Sequence, residues 1–189
     1  MADEDAKSGV IRLRLREAAQ MFNSLDPDPF IERDLDDDAA HFITSWAREI
    51  PRHHALTLRV EITEPKPGVD HQAQIEQGTR NYFDQMAQLT RNEFRDLMRR
   101  GRASLAIGLV VLVACFAVGH AVYTAFGHAA WAELVREGFM IGGWVAMWRP
   151  LEILLYDWWP LRRRRLDFER LRDMKVEVTV KPKPQQVGT

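Results

Sequence analysis

The chain has 189 residues, of which 46% are hydrophobic and 28% are charged, and its formal net charge is −1. A net charge this close to zero gives no general argument for a nucleic acid partner. The single cysteine, Cys115, excludes an intrachain disulfide and a cysteine-based zinc site. Length and composition suit one membrane unit joined to one small water-soluble unit.

Three segments alternate between apolar and polar residues, which is the pattern of a half-buried β-strand. They are residues 10–16, 56–63 and 175–181. Between the first two, residues 36–50 carry an apolar stripe at helical spacing. We expect the three strands to share one sheet covered by helix 36–50. The soluble domain is then split around the rest of the chain.

Seven acidic residues precede or begin this helix: Asp26, Asp28, Glu32, Asp34, Asp36, Asp37 and Asp38. They raise the possibility of a calcium site, but the glycine and the final glutamate of an EF-hand loop are missing from their required positions. Helix capping and a solvated acidic surface are therefore the preferred interpretation. We expect no metal site and no cofactor.

A long uncharged stretch dominates the middle of the chain, because residues 103–132 include no Lys, Arg, Asp or Glu. About 20 helical residues span the hydrocarbon core of a bilayer, so residues 103–126 are predicted to cross a membrane. A second apolar segment, 130–157, follows. If it runs back as an antiparallel helix, Gly143 lies level with about Leu112 at the helical rise.

The predicted fold class is an α+β membrane protein. It consists of a two-helix transmembrane hairpin, long cytoplasmic helical extensions and a small split α/β cytoplasmic domain of about three strands and one helix. The predicted parts are a β-α-β domain (1–70), an amphipathic stalk helix (71–102), the transmembrane hairpin (103–157), a helical extension (158–174), and a strand completing the cytoplasmic domain plus a disordered tail (175–189).

The arginines set the predicted orientation. Three precede the first span at 99, 100 and 102, and four follow the second span at 162–165. Because positive residues stay on the cytoplasmic side, both termini are expected to be cytoplasmic in a multi-pass protein.

The segment after Trp148 combines charges, tryptophans and prolines. Arg149 and Glu152 are three residues apart and can pair on one helix face as a membrane charge pair. An ionisable pair within a membrane is a functional candidate. An interfacial anchor is preferred, because the pair falls near the bilayer edge. The predicted interfacial anchors are Trp131, Asp157, Trp158, Trp159, Arg162, Arg163, Arg164 and Arg165.

Gly138, Gly142 and Ala146 recur every four residues, a spacing that lets membrane helices approach closely. They are predicted helix-packing residues. Their partner is either another copy of the chain or the first span of the same chain, and the second possibility is preferred.

The W-R-P-x-E…D-W-W-P motif belongs to the stretch GWVAMWRPLEILLYDWWP at 143–160. Together with SLDPDPFIERDLDDDA at 24–39, it resembles an uncharacterised family of bacterial two-span inner-membrane proteins. The family has no known activity, so the resemblance implies a bacterial inner-membrane location and no residue roles.

The favoured function is a membrane-anchored cytoplasmic scaffold or interaction protein that is oligomeric and not an enzyme. Its expected partners are the lipid bilayer and a protein or a second copy, with no nucleic acid. The alternative is a small oligomeric channel or transporter component. Its candidate pore or gate residues are His120, Arg136, Glu137, Arg149 and Glu152. The apolar centres of both predicted spans count against conduction.

Overall fold

The computed structural model of this protein describes residues 9–22, 35–127 and 129–181. Its elements in chain order are β1 (Val10–Leu15), a 3₁₀ turn (Ala18–Met21), α1 (Asp37–Glu49), β2 (Thr57–Ile62), α2 (His71–Ala125), α3 (Ala130–Glu152), a π-helical segment (Ile153–Asp157), α4 (Trp158–Arg172) and β3 (Lys175–Val180).

The chain forms two compact units. The described residues up to Leu89 and from Arg164 onward make the first, which we call the sheet unit, and Thr90–Arg163 make the second, which we call the apolar unit.

The three alternating segments form one parallel sheet in the order β1–β2–β3, which confirms that they share a sheet. Ile11 pairs with Leu58 and Leu58 with Val176, so the register places apolar residues of the three strands in one row. Parallel pairing needs a long crossover between successive strands, and the helices that separate β1 from β2 and β2 from β3 provide it. The split is also confirmed, since β3 follows all the helices.

One face of the sheet forms the core of the sheet unit. On β2, Leu58, Val60 and Ile62 are fully buried. The predicted cover, α1, contributes Ile43 to this core, and Ile50, which directly follows α1, is also part of it. The remaining cover comes from the start of α2 and the end of α4, with residues Ile75, Phe83, Phe168 and Leu171. Residues 71–89, assigned to a stalk by their sequence, therefore pack in the sheet unit.

The two ends of α1 are both satisfied by hydrogen bonds. At the start, the Asp36 carboxylate accepts a bond from the Asp38 N–H at 3.1 Å, as an N-cap residue should. At the end, the Arg170 guanidinium of α4 donates to the carbonyls of Ala47, Ile50, Pro51 and His54. Burial lowers the pKa of Arg170 from its ordinary value. These bonds fill carbonyls that a helix end otherwise leaves unpaired.

The helices of the apolar unit pack antiparallel through small residues. A Cβ atom placed on Gly143 of α3 would lie 2.8 Å from Leu112 Cδ1, the level predicted from the helical rise. One placed on Gly108 of α2 would lie 3.2 Å from the Ala146 carbonyl oxygen. A larger side chain at either glycine would force its neighbours to shift, so the small residues allow this close approach.

By length and composition, α2 is the one helix in the described part of the chain that is long and apolar enough to cross a membrane. Only 11% of its most apolar stretch is buried. A core helix of a soluble protein passes the same length test with most of its surface covered, so the exposure distinguishes α2 from such a helix.

Candidate functional site: a charged cluster at the π-helical segment

The end of α3 departs from regular helical geometry. Pro150 lies inside the helix, and the π-helical segment Ile153–Asp157 follows within three residues. Proline has no N–H to donate to the carbonyl four residues earlier. Single π-helical turns inside α-helices occur frequently at functional sites. The irregular backbone therefore makes this segment a candidate functional site.

Arg149 bridges two carboxylates across this segment. Its Nη1 atom donates to Glu152 Oε2 at 2.9 Å, and its Nη2 atom lies 3.7 Å from Asp157 Oδ2. The Glu152 contact has the spacing expected from sequence. Asp157 is eight residues from Arg149, and the sequence gives no sign of the π turn that lies between them. Sequence reasoning placed Asp157 among the anchors and missed its contact with Arg149.

The charge cluster is open rather than buried. The side chains of Arg149, Glu152 and Asp157 are 65%, 43% and 33% exposed. In water such a surface pair contributes about 0–1 kcal/mol. Next to lipid, the pairing would contribute more, because an unpaired charge that contacts hydrocarbon is costly. The arrangement holds charges at an apolar boundary and contains no nucleophile with an adjacent base.

The predicted anchors after the cluster lie on consecutive turns of α4. The rings of Trp158 and Trp159 meet edge to face with centroids 5.9 Å apart, and Arg162 lies over the Trp158 ring at 5.8 Å. In the sheet unit, Arg165 bonds to Glu169 at 2.8 Å. Arg164 lies over Phe168, and Arg163 is exposed. Arg164 and Arg165 thus contact residues of the sheet unit.

At the opposite end of the apolar helices, Trp131 is half-exposed and contacts the Phe126 ring at 5.0 Å. Arg136 lies 4.7 Å from the Tyr123 ring centroid and 3.8 Å from Glu133. His120 and Glu137 are exposed.

The five candidate pore residues do not come together in one place. Arg136 lies against Gly119, whereas the Arg149–Glu152 pair lies thirteen positions further along α3. At the helical rise this separation is about 20 Å. Two polar groups, one at each end of the apolar helices, do not line a continuous polar path.

The predicted packing residues divide between two environments. A Cβ atom on Gly138 or Gly142 would meet nothing within 4 Å, whereas Gly143 faces Leu112. The carbonyl of Ala146 faces Gly108. The contact between α2 and α3 therefore uses Gly143 and Ala146. A contact through Gly138 and Gly142 with another copy stays a prediction.

Among the described residues, no group of three or more His, Cys, Asp or Glu side chains could hold a metal ion. Of the acidic run, Asp26, Asp28, Glu32 and Asp34 lie outside the described residues. Asp36 caps α1, and Asp37 and Asp38 occupy its first turn.

Comparison with known protein families, with curated proteins and with solved structures found no match to this chain. The resemblance to a bacterial two-span family stays a prediction.

Proposed function

We propose that this protein is a membrane-anchored interaction protein rather than an enzyme. The apolar unit anchors it in a bilayer, and the sheet unit binds a protein partner in the adjoining aqueous compartment. The observation that carries the proposal is the amount of apolar side-chain surface that the apolar unit leaves uncovered.

Large hydrophobic side chains face outward along both α2 and α3. Those more than 60% exposed include Ile107, Val110, Val113, Leu134, Ile141, Trp144, Val145 and Trp148. A soluble monomer rarely exposes a contiguous apolar patch of more than a few hundred Å². In a bilayer the same side chains contact lipid tails, and burying each one contributes about 1.5–3 kcal/mol relative to water.

We further propose that α3 is a second span, antiparallel to the first. Its close contacts with α2 at Gly108 and Gly143 support a hairpin. Its charges lie toward its two ends, at Glu133–Glu137 and Arg149–Glu152, with an uncharged centre between them. The arginine distribution then favours a cytoplasmic sheet unit in a bacterial inner membrane.

Two experiments test the proposal: carbonate extraction of the membranes, and reporter fusions that measure the topology of the chain. The proposal expects the protein to stay in the membrane fraction after alkaline carbonate washing. Reporters fused at residues 70 and 185 should be active on the cytoplasmic side, and a reporter at residue 128 on the other. Activity of the residue-185 reporter outside would contradict the second span. Release by carbonate would contradict the anchor itself.

A further inference from the structure

The second face of the sheet carries mostly charged and polar residues, with Val10 beside Thr57 as its apolar exception. Alternation along the strands places these side chains opposite the core, and we call them the outer face: Arg12, Arg14, Arg59, Glu61, Lys175, Glu177, Thr179 and Lys181. Their rows follow from the register, in which Arg59 pairs with Glu177 and Arg14 with Glu61.

Each carboxylate of the outer face is shared by two cations. Glu61 lies 3.1 Å from Arg14 and 3.0 Å from Lys181. Glu177 lies 3.0 Å from Arg59 and 2.9 Å from Lys175. In these contacts between described residues, four cations meet two carboxylates, so positive charges outnumber negative ones by two.

The cations on the two edge strands are open to solvent. The side chains of Arg14, Lys175 and Lys181 are 76%, 72% and 65% exposed. The carboxylate of Glu61 beneath two of them is only 17% exposed. An incoming group therefore meets the positive charges first.

An open face is unusual for a parallel sheet. Sheets of this kind occur almost always with both faces covered. Here α1, α2 and α4 all contribute to the single core on the inner face. Among the described residues, no helix packs on the outer face, and Arg14, Lys175 and Lys181 are mostly exposed there. A partner that covers it would give the sheet the two-sided burial that parallel sheets ordinarily have.

We propose that the outer face is the docking surface for a partner protein, and that the partner contributes an acidic segment whose carboxylates contact Lys175, Lys181 and Arg14. We infer an acidic partner because the face is positively charged. Each of its glutamates is shared by two cations, and these cations can still donate hydrogen bonds to a carboxylate of the partner. This inference rests on the proposed interaction function and names its surface and the charge of the partner.

A protein suits this face better than nucleic acid or lipid. Sheets that bind single-stranded nucleic acid stack bases on aromatic side chains, and the described outer-face residues include none. Anionic bilayers attract runs of four to eight basic residues, whereas Glu61 and Glu177 interrupt the positive charge here. A partner with spaced carboxylates can contact the cations without approaching the two glutamates.

The test uses the full chain in its native membrane, with a photo-crosslinking amino acid at the exposed outer-face position Thr179 and, separately, at the exposed α1 position His41. The Lys175→Ala/Lys181→Ala variant removes two outer-face cations. Arg48→Ala/Arg80→Ala is the matched control, since it removes the same charge from exposed positions on α1 and α2.

We expect the Thr179 probe to crosslink a defined protein whose crosslinked peptides, identified by mass spectrometry, carry more acidic than basic residues. Loss of two exposed charge contacts should reduce the yield about fivefold, while the control double variant stays within about twofold. Raising salt from 0.05 to 0.5 M should weaken the wild-type crosslink, which keeps the test valid if the variant misfolds.

Several results would overturn the outer-face proposal: crosslinks from Thr179 only to lipid, to nucleic acid or to a second copy of this chain, no crosslink at all, or a crosslink insensitive to both salt and the double variant. Protein crosslinks from His41 alone would show that a partner binds near α1 and not on the outer face. Carbonate extraction and the reporter fusions decide the membrane anchor independently of these outcomes.

Discussion

At the scale of single residues, Arg149 has two carboxylate partners rather than the one that helical spacing indicates. Glu152 lies at 2.9 Å and Asp157 at 3.7 Å. Removing the arginine leaves two carboxylates at an apolar boundary, whereas removing Glu152 leaves the arginine with Asp157. An unequal response of the two single substitutions is therefore expected.

We predict that Arg149→Leu lowers folded protein in the membrane fraction more than Glu152→Leu does. The double substitution should lie closer to wild type than Arg149→Leu, because it leaves one unpaired carboxylate rather than two. Quantitative blotting of the membrane fraction for the four proteins measures this. If both singles accumulate like wild type and only a partner or activity is lost, the cluster has a functional rather than an anchoring role.

The pKa values of three carboxyl groups in the sheet unit make its stability dependent on pH. A hydrogen bond from Lys181, with Arg14 nearby, lowers the pKa of Glu61 from its ordinary value of 4.5. Lys175 and then Arg59 lower the pKa of Glu177, and Arg172 lowers that of Asp173 from 3.8. A depressed folded-state pKa stabilises the fold above the unfolded-state value, and this contribution is lost as pH falls through the folded-state value.

We predict a sheet unit whose stability is flat above pH 5 with respect to these groups and declines below about pH 4.5, the ordinary glutamate value. Thermal unfolding of the full chain in detergent between pH 3 and 7 measures it. Glu61→Gln should make the acid decline shallower, whereas Glu93→Gln, on an exposed face of α2, should leave its slope unchanged. Stability that rises on acidification would contradict the assignment.

At the scale of elements, the neighbouring glycines of α3 face different surroundings. Gly143 lies against Leu112, and Gly142 faces open space. We predict that Gly143→Leu disrupts the packing of α2 and α3, because overpacking a tight contact costs about 1–3 kcal/mol or more. Gly142→Leu is the matched control and should keep this packing. Disulfide formation between cysteines introduced at Gly119 and Phe139, whose Cβ atoms would lie 3.4 Å apart, reports this packing in a Cys115→Ser background.

The same pair of variants tests association between copies. If chains meet through Gly138 and Gly142, Gly142→Leu should lower the oligomeric mass in native-membrane particles without disturbing the disulfide within the chain. Unchanged mass in Gly142→Leu would remove that face as an oligomer contact.

The helices and strands could be predicted from the sequence wherever apolar residues recur at a regular spacing. The alternation at residues 57–62 and the stripe of α1 identified a strand and a helix with boundaries within about a residue. The uncharged stretch within α2 likewise identified a helix long enough to cross a membrane. Strict periodicity works because burial on one face fixes both the pattern and the structure.

Other features left no such trace in the sequence. The period of α2 gives no sign that its first turns lie over the sheet, because Ile75 and Phe83 serve equally well on a stalk. Gly142 and Gly143 are adjacent and point in different directions around the helix. The spacing of small residues did not show which of the two faces α2. The contact between Arg149 and Asp157 depends on a π turn that no residue type specifies. Each of these depends on tertiary packing, which overrides local pattern.

At the scale of the whole molecule, the sheet unit is assembled from both sides of the apolar unit. β3 pairs with the central strand β2, and Val176 and Leu171 contribute to the core from the second half of the chain. Parallel pairing across so long a sequence separation is slow to form, because loop closure precedes any gain in contacts. The sheet unit is thus complete only after the residues of the apolar unit have been synthesised.

We predict that a chain ending at residue 174, which lacks β3, loses the cooperative unfolding of the sheet unit. Removing β3 leaves one edge of β2 without its ladder of backbone hydrogen bonds and opens the core at Val176. Together these changes lower the free energy of unfolding by an amount that approaches the total for a typical domain, about 5–15 kcal/mol. A chain ending at residue 181 is the matched control and should unfold like the full protein. Limited proteolysis at Arg59 and Arg48 measures both: cleavage should be rapid in the shorter chain and slow in the control. Equal protection in the two chains would show that the rest of the sheet unit is stable without β3 and would contradict its unfolding as one cooperative structure that includes β3.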